Sequence, residues 1–151
     1  MSIAQLIKQY GYKINDFEEY VDIKSILLDY VHGYEIVKSV VAIIPDGIQA
    51  IAGIELGGAI LAIRLGIFTG LPTVIIRKDG SVIGNLYGKS NILLVEDVII
   101  TGYSVIKAIE ALITVSPDCK ITIIGIVNCE VGGIQIREVS YITNISSIRD
   151  S

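Results

Sequence analysis

Asn91-Ile-Leu-Leu-Val-Glu-Asp-Val-Ile-Ile-Thr-Gly-Tyr-Ser-Val105 decides how the rest of this chain is read. Its apolar run, Ile92 to Val95, predicts a strand buried on both faces. The run ends in two adjacent carboxylates, Glu96 and Asp97. A few hydrophobes follow, then Thr101-Gly102-Tyr103-Ser104, then residues at helical spacing. A small-residue loop at a helix start presents backbone N–H groups and a positive dipole end to a phosphate. Two acids beside such a loop stand where the diol of a ribose would lie. Together the two features imply a phosphoribosyl ligand.

Working outward, Ile3 to Tyr10 reads as a helix, and Tyr20 and Val21 as part of a small strand. Helical spacing runs from Val31 to Ile43, with Tyr34, Val37, Val40 and Val41 on one side. Pro45-Asp-Gly47 is a turn signal. Gln49 to Ile54 reads as a buried strand, and Gly57-Gly58 opens a helix to about Leu65. Thr73 to Arg77 is the next strand. Asp79 to Ser90, with Gly80, Gly84 and Gly88, reads as an extended loop. After the deciding strand, Val105, Ala108, Ile109, Leu112 and Ile113 form one apolar helical face. Ile121 to Val127 and Tyr141 to Ile145 complete a set of about five strands.

Ile/Val-rich strands alternating with helices predict an α/β fold with a parallel sheet covered on both faces. In such sheets ligands bind beyond the C-terminal ends of the strands. Glu55 to Gly58, Arg77-Lys78, Glu96 to Ser104 and Asn128 to Gly133 all fall there.

The 151 residues fit one domain, with 52% hydrophobic and 19% charged residues, a balance that disfavours disorder. The net charge of -4 argues against nucleic-acid binding, which wants a basic face. Cys119 and Cys129 lack metal-ligand spacing and His32 is the only histidine, so no zinc site is expected. The N-terminus lacks the pattern of a signal peptide, and Arg64, Gly70 and Pro72 interrupt the apolar stretch around Ala59 to Ile76. A cytoplasmic protein with no membrane contact is the expectation.

The deciding stretch resembles the signature by which type I phosphoribosyltransferases bind 5-phospho-α-D-ribosyl 1-diphosphate (PRPP). Asp46 to Gly70, centred on Gly53-Ile-Glu-Leu-Gly-Gly-Ala-Ile-Leu-Ala62, is similar to the pyrophosphate-binding region of the orotate phosphoribosyltransferases. Leu71-Pro-Thr-Val-Ile-Ile-Arg-Lys78 resembles their next strand, and Tyr20-Val-Asp-Ile-Lys24 their N-terminal hood, here about residues 1–30 of a single domain spanning 1–151. The resemblance implies the type I phosphoribosyltransferase fold and transfer of ribose 5-phosphate to a nucleobase, orotate first. It also implies Mg²⁺, a homodimer and a place in pyrimidine biosynthesis.

Residue by residue, the resemblance assigns Glu96 and Asp97 to the ribose hydroxyls and to the charge that develops on the sugar. Ile100, Thr101, Gly102, Tyr103 and Ser104 would cradle the 5-phosphate. Glu55, Leu56, Gly57 and Gly58, in a loop that often holds a strained non-proline peptide, would meet the pyrophosphate with Arg77 and Lys78. Lys13 and Lys24 fall in the hood, and Lys13 would approach the base, as would Cys129. Mg²⁺ would be held through PRPP, with Asp97 as the side-chain contact. The ordinary structural alternatives are an acidic strand end, a helix capped by Thr101 or Ser104, conformational glycines and a solvated basic pair.

The chain also departs from the pattern. Ser81 and Ile83 stand where the family's mobile loop carries a lysine and a histidine, Ile100 replaces a threonine, and Cys129 replaces an arginine that meets the orotate carboxylate. Two readings therefore stand beside each other. One is an orotate-type transferase. The other is a catalytically weak PRPP-binding homologue or partner subunit.

Overall fold

The computed structural model describes residues 1–16, 18–131 and 138–151. Two sheets form. The small one pairs β1 (Tyr12–Ile14) with β2 (Glu19–Val21) antiparallel. The large one holds β3 (Ala50–Ile54), β4 (Thr73–Ile76), β5 (Val82–Ile83), β6 (Asn91–Ile99), β7 (Lys120–Asn128) and β8 (Val139–Asn144). Its order is β5-β4-β3-β6-β7-β8, parallel throughout except for β5.

The helices are α1 (Ile3–Tyr10), α2 (Ile23–Leu28), α3 (Tyr30–Val41), α4 (Gly57–Thr69), α5 (Tyr103–Val115) and α6 (Ile145–Asp150). They divide the core in two. On one face α1 to α4 and α6 bury Ile7, Ile36, Leu61 and Leu65 with Ile51, Leu93 and Val95 of the sheet. On the other, α5 buries Val105, Ala108 and Leu112 with Ala52, Ile92 and Leu94. Alternate residues of β3 and β6 thus serve opposite cores, which is why both strands are apolar throughout. Residues of the first thirty, among them Leu6, Val21 and Leu27, belong to the same cluster as the sheet.

The predicted α/β architecture is present, with several corrections. The sheet has six strands, because part of the expected Asp79–Ser90 loop pairs as β5 with β4. β6 does not stop at Val95. Its pairing with β3 ends at Gly53↔Val95, while its pairing with β7 continues to Ile99↔Asn128. Glu96 and Asp97 are therefore strand residues. α2 and α6 are helices of six residues each, too short for periodicity to reveal, and Ile145 starts α6 instead of ending a strand. α4 runs on to Thr69 and stops at Gly70, whose φ of 74° terminates it. On α3 the buried side is Ile36, Val37 and Val40, with Tyr34 exposed. On α5 Ala111 joins the core while Ile113 faces outward.

From β3 the chain turns to β4 on one side, and from β6 to β7 on the other. The strand order thus reverses between β3 and β6, and a crevice opens at their C-terminal ends.

Candidate functional site

The loops after β3 and β6 flank that crevice. Glu96 and Asp97 lie in its floor and are 7% and 8% exposed, the buried acids of the described core. They are buried because β7 still pairs with this part of β6 while α4 begins directly alongside. Gly57 and Gly58 permit that approach. A Cβ at Gly57 would overlap the Asp97 carboxylate, and one at Gly58 would stand 2.6 Å from Val95 O and 3.0 Å from Glu96 Oε1.

Burial pushes the Glu96 carboxyl well above the usual carboxylate range, and the adjacent Asp97 carboxylate pushes it further. The Asp97 N–H, which donates to Glu96 Oε1 at 3.0 Å, acts in the opposite sense, as does the Gly58 amide. Asp97 is partnered from the hood, with Lys24 Nζ 3.8 Å from Asp97 Oδ2. Lys24 also lies 5.8 Å from the centre of the Tyr20 ring. The floor of the crevice is therefore an acid whose proton is held by burial beside a carboxylate paired with Lys24.

Beyond β6, Ile100 and Thr101 lead to Gly102, the N-cap of α5, whose φ of 82° suits glycine. No side chain caps this helix. Thr101 Oγ1 accepts only a long bond of 3.4 Å from the Tyr103 N–H, and neither acid reaches the first-turn amides. By contrast, Ser2, Asp22 and Asp29 cap α1, α2 and α3. Beyond that long contact the capping role that Thr101 or Ser104 could have played is not taken up, and Glu96 and the Ile100–Ser104 loop line a 270 Å³ cavity at this helix start.

The loop after β3 is similar. The Glu55–Leu56 peptide is cis, Leu56 is exposed, and α4 begins at Gly57 without a side-chain cap. Glu55 Oε2 accepts the Lys78 N–H at 2.8 Å, tying this loop to the end of β4. Arg77 and Lys78 open a tight hairpin, in which the Arg77 N–H donates to Ser81 O at 2.9 Å and the Gly80 N–H to Arg77 O at 3.0 Å. Ser81 Oγ is bound to Asp79 Oδ1 at 2.6 Å, and Ile83 is exposed on β5.

The structure brings Glu55 to Gly58, Arg77, Lys78, Glu96, Asp97 and Ile100 to Ser104 to one end of the sheet. Lys13 stands exposed on β1. Cys129 packs against the larger core cluster, where burial raises its thiol, and its N–H donates to Ile99 O at 3.0 Å. Gly132 and Gly133 of the Asn128–Gly133 loop lie outside the described residues. Lys24, left out of the expected ligand contacts, is the hood residue that reaches Asp97. Its signal was a lysine in the first turn of a helix too short to recognise. No helix of the described residues is long and apolar enough to cross a membrane.

No family model matches the chain. An orotate phosphoribosyltransferase of Thermoplasma volcanium is 34% identical over 126 residues, covering 74% of this chain and 75% of that relative. One of Methanoculleus marisnigri is 33% identical over 102 residues, covering 62% of this chain and 57% of the relative. Among solved structures, Mycobacterium tuberculosis orotate phosphoribosyltransferase in complex with PRPP superposes with a TM-score of 0.81 at 19% identity, covering 97% of this chain and 96% of that one. That likeness is one of fold, and it extends to an adenine phosphoribosyltransferase of Thermoanaerobacter pseudethanolicus at a TM-score of 0.78. The fold, the crevice and the Thermoplasma relative agree: this chain belongs to the orotate phosphoribosyltransferase family.

Proposed function

We propose that this chain transfers the ribose 5-phosphate of PRPP to a ring nitrogen of orotate, releasing diphosphate. One observation carries the reading: a buried acid pair is followed at once by an uncapped helix start. A ribose diol and a 5-phosphate need these two features side by side.

In this reading Asp97, held by Lys24, accepts from a ribose hydroxyl, and Glu96, kept protonated by burial, has a proton to donate to its neighbour or to the sugar. The base nitrogen bonds to the anomeric carbon as the C–O bond to diphosphate breaks. The electron pair leaves on the diphosphate, and the base N–H proton passes to solvent. Positive charge that builds on the sugar lies near Asp97, where an anion favours it. Amides of the Glu55–Gly58 loop, with Arg77 and Lys78, receive the diphosphate.

Among the described residues no group of three or more His, Cys, Asp or Glu could hold a metal. A single carboxylate, Asp97, nevertheless fits an ion held mainly by substrate oxygens, which is how Mg²⁺ usually binds. When bound, Mg²⁺ would neutralise the leaving diphosphate. A homodimer is supported by exposed Leu28, Tyr30, Ile67 and Phe68, which surround a 640 Å³ groove between α2, α3 and α4.

The hairpin after β4 favours the second reading, a PRPP binder with weak turnover. Ser81 is turned onto Asp79 and Ile83 offers no cation, so nothing from this hairpin beyond Lys78 adds charge to the diphosphate. The experiment is pyrophosphate release from PRPP and Mg²⁺, first with orotate and then with other bases. Release that depends on orotate supports the proposal. Release with another base alone refutes orotate as acceptor, and PRPP binding without release for any base establishes the second reading.

A further inference from the structure

We propose that Lys107 of α5 is a third cation of the diphosphate subsite, a proposal that rests on the PRPP reading above. A cavity of 270 Å³ lies on the α5 side of the sheet, where the ends of β3 and β4 meet the first two turns of α5. Arg77, Lys78 and Lys107 line it, and so do Tyr103 and Ser104 of the phosphate loop. Three cations from two separate elements thus face one small space in a chain of net charge -4.

None of the three has an ion-pair partner among the described residues. The carboxylate in the wall, Glu55, accepts the backbone N–H of Lys78 instead of a cationic side chain. The Lys107 ammonium is near the Tyr103 ring, 5.8 Å from its centre, which holds the amine beside the loop. The cavity is smaller than a usual drug-sized site of roughly 300–1,000 Å³ and suits an anion of phosphoryl size. It adjoins both the Glu55 loop and the phosphate loop, so an anion seated in it is continuous with a ligand spanning the two. A diphosphate ester meets that description. Lys107 lies on a rigid helix, so it supplies charge that the hairpin residues Ser81 and Ile83 do not.

The test compares Lys107→Gln with the parent protein for binding of inorganic pyrophosphate, PRPP and ribose 5-phosphate, each read by thermal shift with Mg²⁺ present. Loss of one charge-assisted contact predicts about a tenfold weaker midpoint for pyrophosphate and for PRPP. Ribose 5-phosphate should be unchanged, and Lys107→Arg should restore pyrophosphate binding. Equal loss for ribose 5-phosphate would overturn the proposal, because Lys107 would then act on the phosphate loop through α5. Unchanged pyrophosphate binding would overturn it too. A parent protein that binds pyrophosphate but neither PRPP nor ribose 5-phosphate would refute the PRPP reading alone, leaving Lys107 to be judged on the pyrophosphate arm. A parent that binds none of the three would refute both.

Discussion

Gly57→Ala separates the role of Asp97 from the integrity of the fold. Gly57 is the first residue of α4 and has an ordinary φ, so alanine is acceptable to the backbone and favours the helix by up to about 1 kcal/mol. The new methyl group would overlap the Asp97 carboxylate. Even its farther oxygen would lie at 2.7 Å, where ordinary contact begins at 3.4 Å. The carboxylate must therefore swing aside by about 1 Å or more, at an overpacking cost of about 1–3 kcal/mol. The two terms leave a net loss of roughly 0–3 kcal/mol, a fall in Tm of at most about 12 °C for a chain of this size. Ligand binding should suffer more. An accepted ribose hydroxyl bonded to a charged group contributes about 1.5–3 kcal/mol, so PRPP affinity should drop roughly 10- to 100-fold. The assay is PRPP-induced thermal stabilisation with Mg²⁺, alongside pyrophosphate release. Gly58→Ala is the control, since its Cβ would meet Val95 O at 2.6 Å and a backbone carbonyl cannot rotate away. It should lower Tm more than Gly57→Ala does. A Gly57→Ala protein that keeps the parent's PRPP response would refute the placement of the ribose against Asp97.

Glu96→Gln should change how stability depends on pH. Because the Glu96 carboxyl is raised, its contribution is full below the ordinary glutamate range and is lost as pH rises toward the elevated value. The variant, which cannot ionise, should gain on the parent between about pH 5 and pH 9, and parallel Tm curves would count against a buried protonated acid. Glu19 is the opposite case. Arg149 foremost, and then Tyr12, hold its carboxyl down at about 2, so its contribution is present above the ordinary 4.5 and is lost as pH falls through about 2. Glu19→Gln should lower Tm at pH 7, and the difference should vanish near pH 2; a difference that persists there would mean the Glu19–Arg149 pair is not its cause. Ser81→Lys with Ile83→His should raise the rate of pyrophosphate release about tenfold or more, and an unchanged rate would show that this hairpin does not reach the diphosphate.

Much of this molecule is legible in its sequence for local reasons. Strands buried on both faces must be apolar at every position, so Ile51 to Ile54 and Ile92 to Val95 announce the sheet themselves. Glycines where one backbone approaches another, and acids at the end of an apolar run, mark the two loops. What stayed hidden depends on contacts between distant segments. The extension of β6 through Glu96 and Asp97 follows from pairing with β7 after β3 has ended, and no feature of β6 alone encodes it. Short α2 and α6 have too few residues for a period. They matter all the same, because α2 carries Lys24 to Asp97 and α6 carries Arg149 to Glu19 across 130 residues.

The sequence by itself determined the class of sheet, the place of the crevice and the acids and small-residue loops at its rim. These rest on residue types at fixed spacing along single strands and turns. Only the tertiary structure decided that burial raises the Glu96 carboxyl, that Asp97 is paired with Lys24, that Cys129 packs half-buried against the core and that Lys107 joins Arg77 and Lys78 around one cavity. Burial and charge proximity are properties of space. They arise when elements far apart in the chain pack together, and no local pattern carries them.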